Sequence, residues 1–216
     1  MNPLPDPKVI SASRVLISIP IVHSEADMGA LNQSIQRMKL KKLGKSMWEQ
    51  SLALVNDFWT QIEQTTEDLA LAYEKVRLYQ DGLPVCGHEW EIVADLAKAG
   101  SRNYQLLLKL KGKGATLMGT ESTDLLLEEY QLAKQVFAGE MSRRPSGQAA
   151  PAKNLQHSLL QRRDQFIARR INQTLLSGET GLLFIGMLHR VEPWLAPDIR
   201  VLHPIRRALK GGEQAP

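Results

Sequence analysis

Two short apolar runs lie far apart in the chain: Val15-Leu16-Ile17-Ser18-Ile19-Pro20-Ile21-Val22 and Gly181-Leu182-Leu183-Phe184-Ile185-Gly186-Met187-Leu188. Neither alternates polar with apolar residues, as a strand wetted on one face would. A short run that is apolar throughout reads as a strand buried on both faces, which is the condition of a parallel sheet covered by helices. Pro20 lacks a backbone N–H and belongs at a strand terminus, edge or bulge. The first strand is therefore read over Arg14 to Val22, with His23 just past its end.

The segments between these runs keep the same rhythm. Lys75 to Tyr79, Ala115 to Met118 and Ile199 to Leu202 read as further strands. Helical spacing runs over Asp27 to Leu43, Met47 to Tyr73 (Leu52, Val55, Trp59, Ile62), Glu89 to Ala99, Asn103 to Leu110, Asp124 to Phe137 and His157 to Leu176. Thr65-Thr66 reads as the cap of a following turn, and Ser122 or Thr123 as a helix N-cap. Strands alternating with helices predict an α/β fold with a largely parallel central sheet of about four to five strands flanked by helices. A length of 216 residues suits a single α/β domain. Residues 139–152 read as an exposed mobile loop and 211–216 as a flexible tail.

Composition removes several function classes. The lone Cys86 forms no internal disulfide and fits a reducing compartment, so a cytoplasmic protein is expected. The first apolar run is far shorter than the roughly 20 residues of a membrane span, so no membrane partner is expected. Basic residues cluster at Lys39 to Lys45, Arg143-Arg144 and Arg206-Arg207 within a net charge of +4, but no aromatic stacking motif accompanies them. They read as solvated faces, and nucleic acid is disfavoured as a partner. No Walker or dinucleotide glycine pattern follows a strand, and there is no Gly-x-Ser-x-Gly elbow. Cys86 beside His88 reads as structural.

Ligands of parallel α/β sheets bind at the carboxyl ends of the strands. The polar residues that follow the strands are His23 with Glu25 and Asp27, Gln80 with Asp81, Glu121, and His189 with Arg190. Singly each has a structural reading: Asp27 as an N-cap, Asp81 as a turn residue, Glu121 as a carboxylate near a helix N-terminus. Together on one rim they suit general acid–base chemistry or a hard divalent metal, and the residues leave both open.

A longer pattern joins two of these positions. Arg163-Asp164-Gln165-Phe166-Ile167-Ala168 leads through a helix into an apolar strand that ends Gly186-Met187-Leu188-His189. This resembles the late motif of the TraB/PrgY/Tiki group, whose fold is related to the erythromycin esterase and ChaN-like proteins. The group's early strand ends in Gly-x-x-His. The counterpart here is Pro20-Ile21-Val22-His23, with the histidine present and proline in place of glycine. The resemblance implies a hydrolase acting on a small-molecule or peptide substrate, with His23 and His189 as bases or metal ligands. It further implies Asp81 and Glu121 as acidic partners and Arg163 as the residue that orients an anion or a carboxylate. The competing expectation is a non-catalytic protein that uses the same cleft for a small anionic ligand or an acidic partner.

Overall fold

Strand burial explains the apolar runs. The computed structural model describes residues 14–22, 44–137 and 149–205. Its strands are β1 (Arg14–Ile21), β2 (Val76–Gln80), β3 (Thr116–Met118), β4 (Thr180–Gly186) and β5 (Ile199–Leu202). They form one five-stranded sheet in the order β3-β2-β4-β1-β5, and every pairing is parallel. Among the described residues the helices are α1 (Lys45–Asp68), α2 (Glu89–Lys98), α3 (Arg102–Gly112), α4 (Thr123–Phe137) and α5 (Ala149–Thr174). The α/β class and the parallel sheet are as the strand and helix rhythm predicts.

Alternate side chains of a strand point to opposite faces, and here both faces meet helices. Ile17, Ile19, Ile21, Val76, Leu78, Leu182 and Phe184 pack with Trp59 and Ile62 of α1, Val93 of α2 and Leu107 and Leu110 of α3. Leu16, Tyr79, Leu183 and Ile185 pack on the other face with Ile167, Ala168 and Ile171 of α5. Each fully buried Leu, Ile or Phe contributes about 1.5–3 kcal/mol of transfer free energy. Gly181 lets β4 approach its neighbours, since a Cβ there would lie 2.7 Å from Leu16 Cδ1.

Several boundaries move from their sequence-based positions. Thr66 caps no turn; it lies inside α1, buried, and its hydroxyl donates to the carbonyl of Ile62 at 2.7 Å. A threonine hydroxyl in a helix finds the carbonyl one turn back, which removes its need for a terminus. Helix α5 begins at Ala149, so the loop read over 139–152 is shortened at its far end. Ser122 is the cap of α4, accepting from Leu125 N at 3.4 Å. His23, the helix read over Asp27 to Leu43, Arg143-Arg144, Arg206-Arg207 and the 211–216 tail lie outside the described residues. No described helix is long and apolar enough to cross a membrane.

The sheet order locates the place for a ligand. From β2 the chain continues outward to β3; from β4 it continues the other way, past β1, to β5. Adjacent strands β2 and β4 therefore send their connections in opposite directions. The carboxyl ends of such a pair are where ligands of open parallel sheets bind.

Candidate active site

The residues that follow β2 and β4 meet at the carboxyl rim of the sheet. Asp81 directly succeeds β2, and its N–H donates to Phe184 O at 2.9 Å, which continues the ladder by one residue. Gly82 then turns the chain with φ +80°. The segment after β3 is tied to that turn: Thr120 N and Glu121 N both donate to Leu83 O at 2.9 Å, and Val85 N donates to Glu121 O at 2.8 Å. This close approach requires Gly119. A Cβ there would sit 2.8 Å from Val85 Cα and 2.9 Å from Pro84 O. Asp81 and Glu121 are thereby fixed side by side at the rim, 3% and 0% exposed.

Helix α5 brings a cation to them. Arg163 donates from Nε to Glu121 Oε2 at 2.8 Å and from Nη2 to Glu121 Oε1 at 2.5 Å. The same Nη2 reaches Asp81 Oδ1 at 2.8 Å, and Nη1 reaches Glu129 Oε1 of α4 at 2.5 Å. Gly82 N adds a bond to Glu121 Oε1 at 3.0 Å, and Gly186 N one to Asp81 Oδ2 at 2.9 Å. His189 enters from the turn after β4, where its N–H donates to Gly186 O at 3.1 Å. Its Nδ1 lies 2.6 Å from Asp164 Oδ1, and its Nε2 lies 3.4 Å from Asp81 Oδ2. Arg190 N holds the other oxygen of Asp164 at 2.9 Å.

Burial and charge compete in this cluster. For His189, burial alone would lower the pKa. The hydrogen bonds to Asp164 and Asp81 outweigh it and raise the pKa to about 9. Burial raises the pKa of Glu121, and Asp81 adds to that rise against the opposing pull of Arg163. Burial works against the charge of Arg163 as well, yet Glu121, Asp81 and Glu129 hold its pKa above the ordinary arginine value. Among the described ion pairs, Arg163 meets Asp81, Glu121 and Glu129, and His189 meets Asp81 and Asp164.

Asp81, Glu121 and His189 each offer one ligand atom, all within 4.8 Å of one another. Two carboxylate oxygens and one imidazole nitrogen are a donor set that suits a hard or borderline divalent cation.

Four residues expected at the site, Asp81, Glu121, Arg163 and His189, meet within this one cluster. The fifth, His23, lies outside the described residues. Arg163 spends its donors on the chain's own carboxylates, and the residue Arg190 is exposed. Two members escape a reading by motif. Asp164 stands beside Arg163 in the quoted motif without a role assigned to it, and Glu129 carries no local signal. Cys86 is exposed and free, and His88 is an exposed neighbour of Glu91 at 3.8 Å.

Fold and site together define a class: an all-parallel α/β protein with a buried carboxylate–histidine–arginine centre at the switch point of its sheet. Compared with protein-family models, curated proteins and solved structures, the chain matches none.

Proposed function

We propose that the chain is a hydrolase of the TraB/PrgY/Tiki-like kind, activating water at His189 for attack on a small-molecule or peptide substrate. One observation carries the reading: His189 is clamped between Asp164 and Asp81 at the switch point of the sheet. Asp164 accepts the Nδ1 proton, which sets the tautomer and aims Nε2 at the rim. A neutral imidazole so held is a proton acceptor for water. Arg163 is a positioning residue, since its fork aligns Asp81 and Glu121 rather than meeting substrate.

The raised pKa of His189 has a consequence for this chemistry. With a value of about 9, only about one imidazole in a hundred is neutral at pH 7. A divalent cation held by Asp81, Glu121 and His189 would supply a bound water acidic enough to react at neutral pH. Its binding requires His189 to lose its proton, and the carboxylates of Asp81 and Glu121 would stabilise the exchange. The free thiol of Cys86 supports a reducing, cytoplasmic setting. A non-catalytic ligand-binding role is the second reading, favoured by how completely Arg163 and His189 are paired.

A panel of ester, amide and peptide substrates, assayed with Mn²⁺, with Zn²⁺ and with a chelator, tests the proposal. The wild-type chain should turn over at least one substrate class. His189→Ala should lose roughly 10²–10⁴-fold with its denaturation midpoint still cooperative. In Asp164→Asn the ascending limb of the pH–rate profile, set by deprotonation of His189, should move toward lower pH. Absence of turnover across the panel, or equal rates in wild type and His189→Ala, would sink the hydrolase reading in favour of ligand binding.

A further inference from the structure

Arg163 bonds three carboxylates at once, and they differ in their access to water. Its Nε and Nη2 hold both oxygens of Glu121, at 2.8 and 2.5 Å. The same Nη2 reaches Asp81 Oδ1 at 2.8 Å, so one guanidinium nitrogen bridges the two carboxylates. Nη1 meets Glu129 Oε1 on α4 at 2.5 Å. The side chains of Asp81 and Glu121 are 3% and 0% exposed, whereas that of Glu129 is 50% exposed.

Asp81, Glu121 and His189 offer ligand atoms that lie within 4.8 Å of one another. Two of these three residues are the ones Arg163 bridges. A divalent ion placed among them would meet a positive charge bonded to its own ligands, and like charges so close in a buried place repel strongly. Ion and guanidinium therefore compete for Asp81 and Glu121. A guanidinium that left both carboxylates for the interior would be a buried unpaired charge, which is costly. It needs another carboxylate, and Glu129 is already bonded to it. Half in water, Glu129 can change rotamer with the guanidinium without opening a hole in the core. Neighbouring Glu128 is not equivalent, because it pairs with Arg162 at 2.9 Å.

We propose that Glu129 is a positioning residue for cation binding: as a divalent cation enters among Asp81, Glu121 and His189, Arg163 releases the first two and rests on Glu129. The proposal rests on the cation branch of the hydrolase reading but needs no turnover. Arg163 is then a tethered placeholder that neutralises the two carboxylates in the unloaded chain. It also sets a selectivity, since a monovalent ion brings no more charge than the guanidinium it must displace.

The test follows Mn²⁺ binding to the full chain by the paramagnetic resonance of the free ion, with no substrate present. Glu129→Gln should weaken binding roughly tenfold, and Glu128→Gln should change it by less than about twofold. Arg163→Gln, which removes the competitor, should tighten binding roughly tenfold. Adding Glu129→Gln to Arg163→Gln should then have little further effect, because Glu129 acts through Arg163. An exposed carboxylate that merely attracts the ion would weaken binding equally in both backgrounds, and that result overturns the proposal. So does weaker binding in Arg163→Gln, or no binding by either wild type or Arg163→Gln. A second measurement stands even where Arg163→Gln fails to fold. Diamagnetic Zn²⁺ should shift the ¹H–¹⁵Nε signal of Arg163 in the wild-type chain as its bond to Glu121 is released, and a signal that stays in place overturns the proposal. Exchange seen in these titrations without turnover on the substrate panel sinks the hydrolase reading alone. Turnover without the exchange sinks this proposal alone.

Discussion

The two ends of the parallel sheet handle charge in opposite ways. At the amino edge Arg14 and Arg77 each meet one carboxylate. Arg14 forks onto Asp198 at 2.7 Å from both Nε and Nη2, and donates to the carbonyls of Asn172 and Leu175. Arg77 forks onto Glu179 at 2.8 and 2.7 Å, and Tyr79 Oη pairs with Thr174 Oγ1 at 2.8 Å. These are latches between strands, loops and the end of α5, with matched charges that water partly reaches. At the carboxyl rim Arg163 meets Asp81, Glu121 and Glu129 together, and His189 meets Asp81 and Asp164; all but Glu129 are buried. Holding a fold together needs only matched pairs. A buried cluster of shared charges is where a ligand, a proton or a cation can act, and here it sits where parallel sheets bind ligands.

The largest expected effect separates the two ends directly. Arg163→Met strands Asp81 and Glu121 as uncompensated buried carboxylates and should cost about 3–5 kcal/mol in urea denaturation. Arg77→Met should cost only about 1 kcal/mol, because its partly wet partner recovers solvation. Equal losses would erase the distinction.

The next effect is a pH dependence. A histidine raised in the folded state stabilises fully below its unfolded pKa of 6.5, and that stability is lost as pH rises through about 9. The contribution of His189 should therefore fall by roughly 3 kcal/mol between pH 6 and 10, read from denaturation midpoints. His189→Gln should flatten that slope, whereas replacing Asp198 at the amino edge should leave it intact.

Gly119→Ala sharpens the comparison at smaller scale. Its Cβ would collide with the Val85 and Pro84 backbone, forcing apart the turn and the β3 extension that hold Asp81 and Glu121. A loss of about 1–3 kcal/mol is expected. The acid–base titration of the rim should change, with the Arg77–Glu179 latch unaffected. Crystals of the variant would show whether the rim alone has moved.

Much of this architecture is written locally. Burial on both faces demands apolar runs such as those of β1 and β4, and the strands read from the sequence end within a residue or two of the observed ones. Residues just after a strand lie at the rim whatever the strand order, which is why Asp81, Glu121 and His189 were legible as candidates. Asp164 was harder, because adjacent helix residues point in different directions. Only the packing of α5 shows that Arg163 reaches the β2–β3 side while Asp164 reaches His189. Glu129 was invisible, since nothing in α4 distinguishes it from its neighbour Glu128 until Arg163 arrives.

The chain by itself determined the class of fold, the parallel direction of the sheet and which residues stand at its carboxyl rim, because periodicity and turn chemistry act over a few residues. Tertiary structure alone decided that β4 inserts between β2 and β1. That insertion pairs Gln80 with Phe184 and sets Asp81 against Gly186 and His189. Strand order is a choice among long-range packings of similar apolar faces, and no local pattern encodes it.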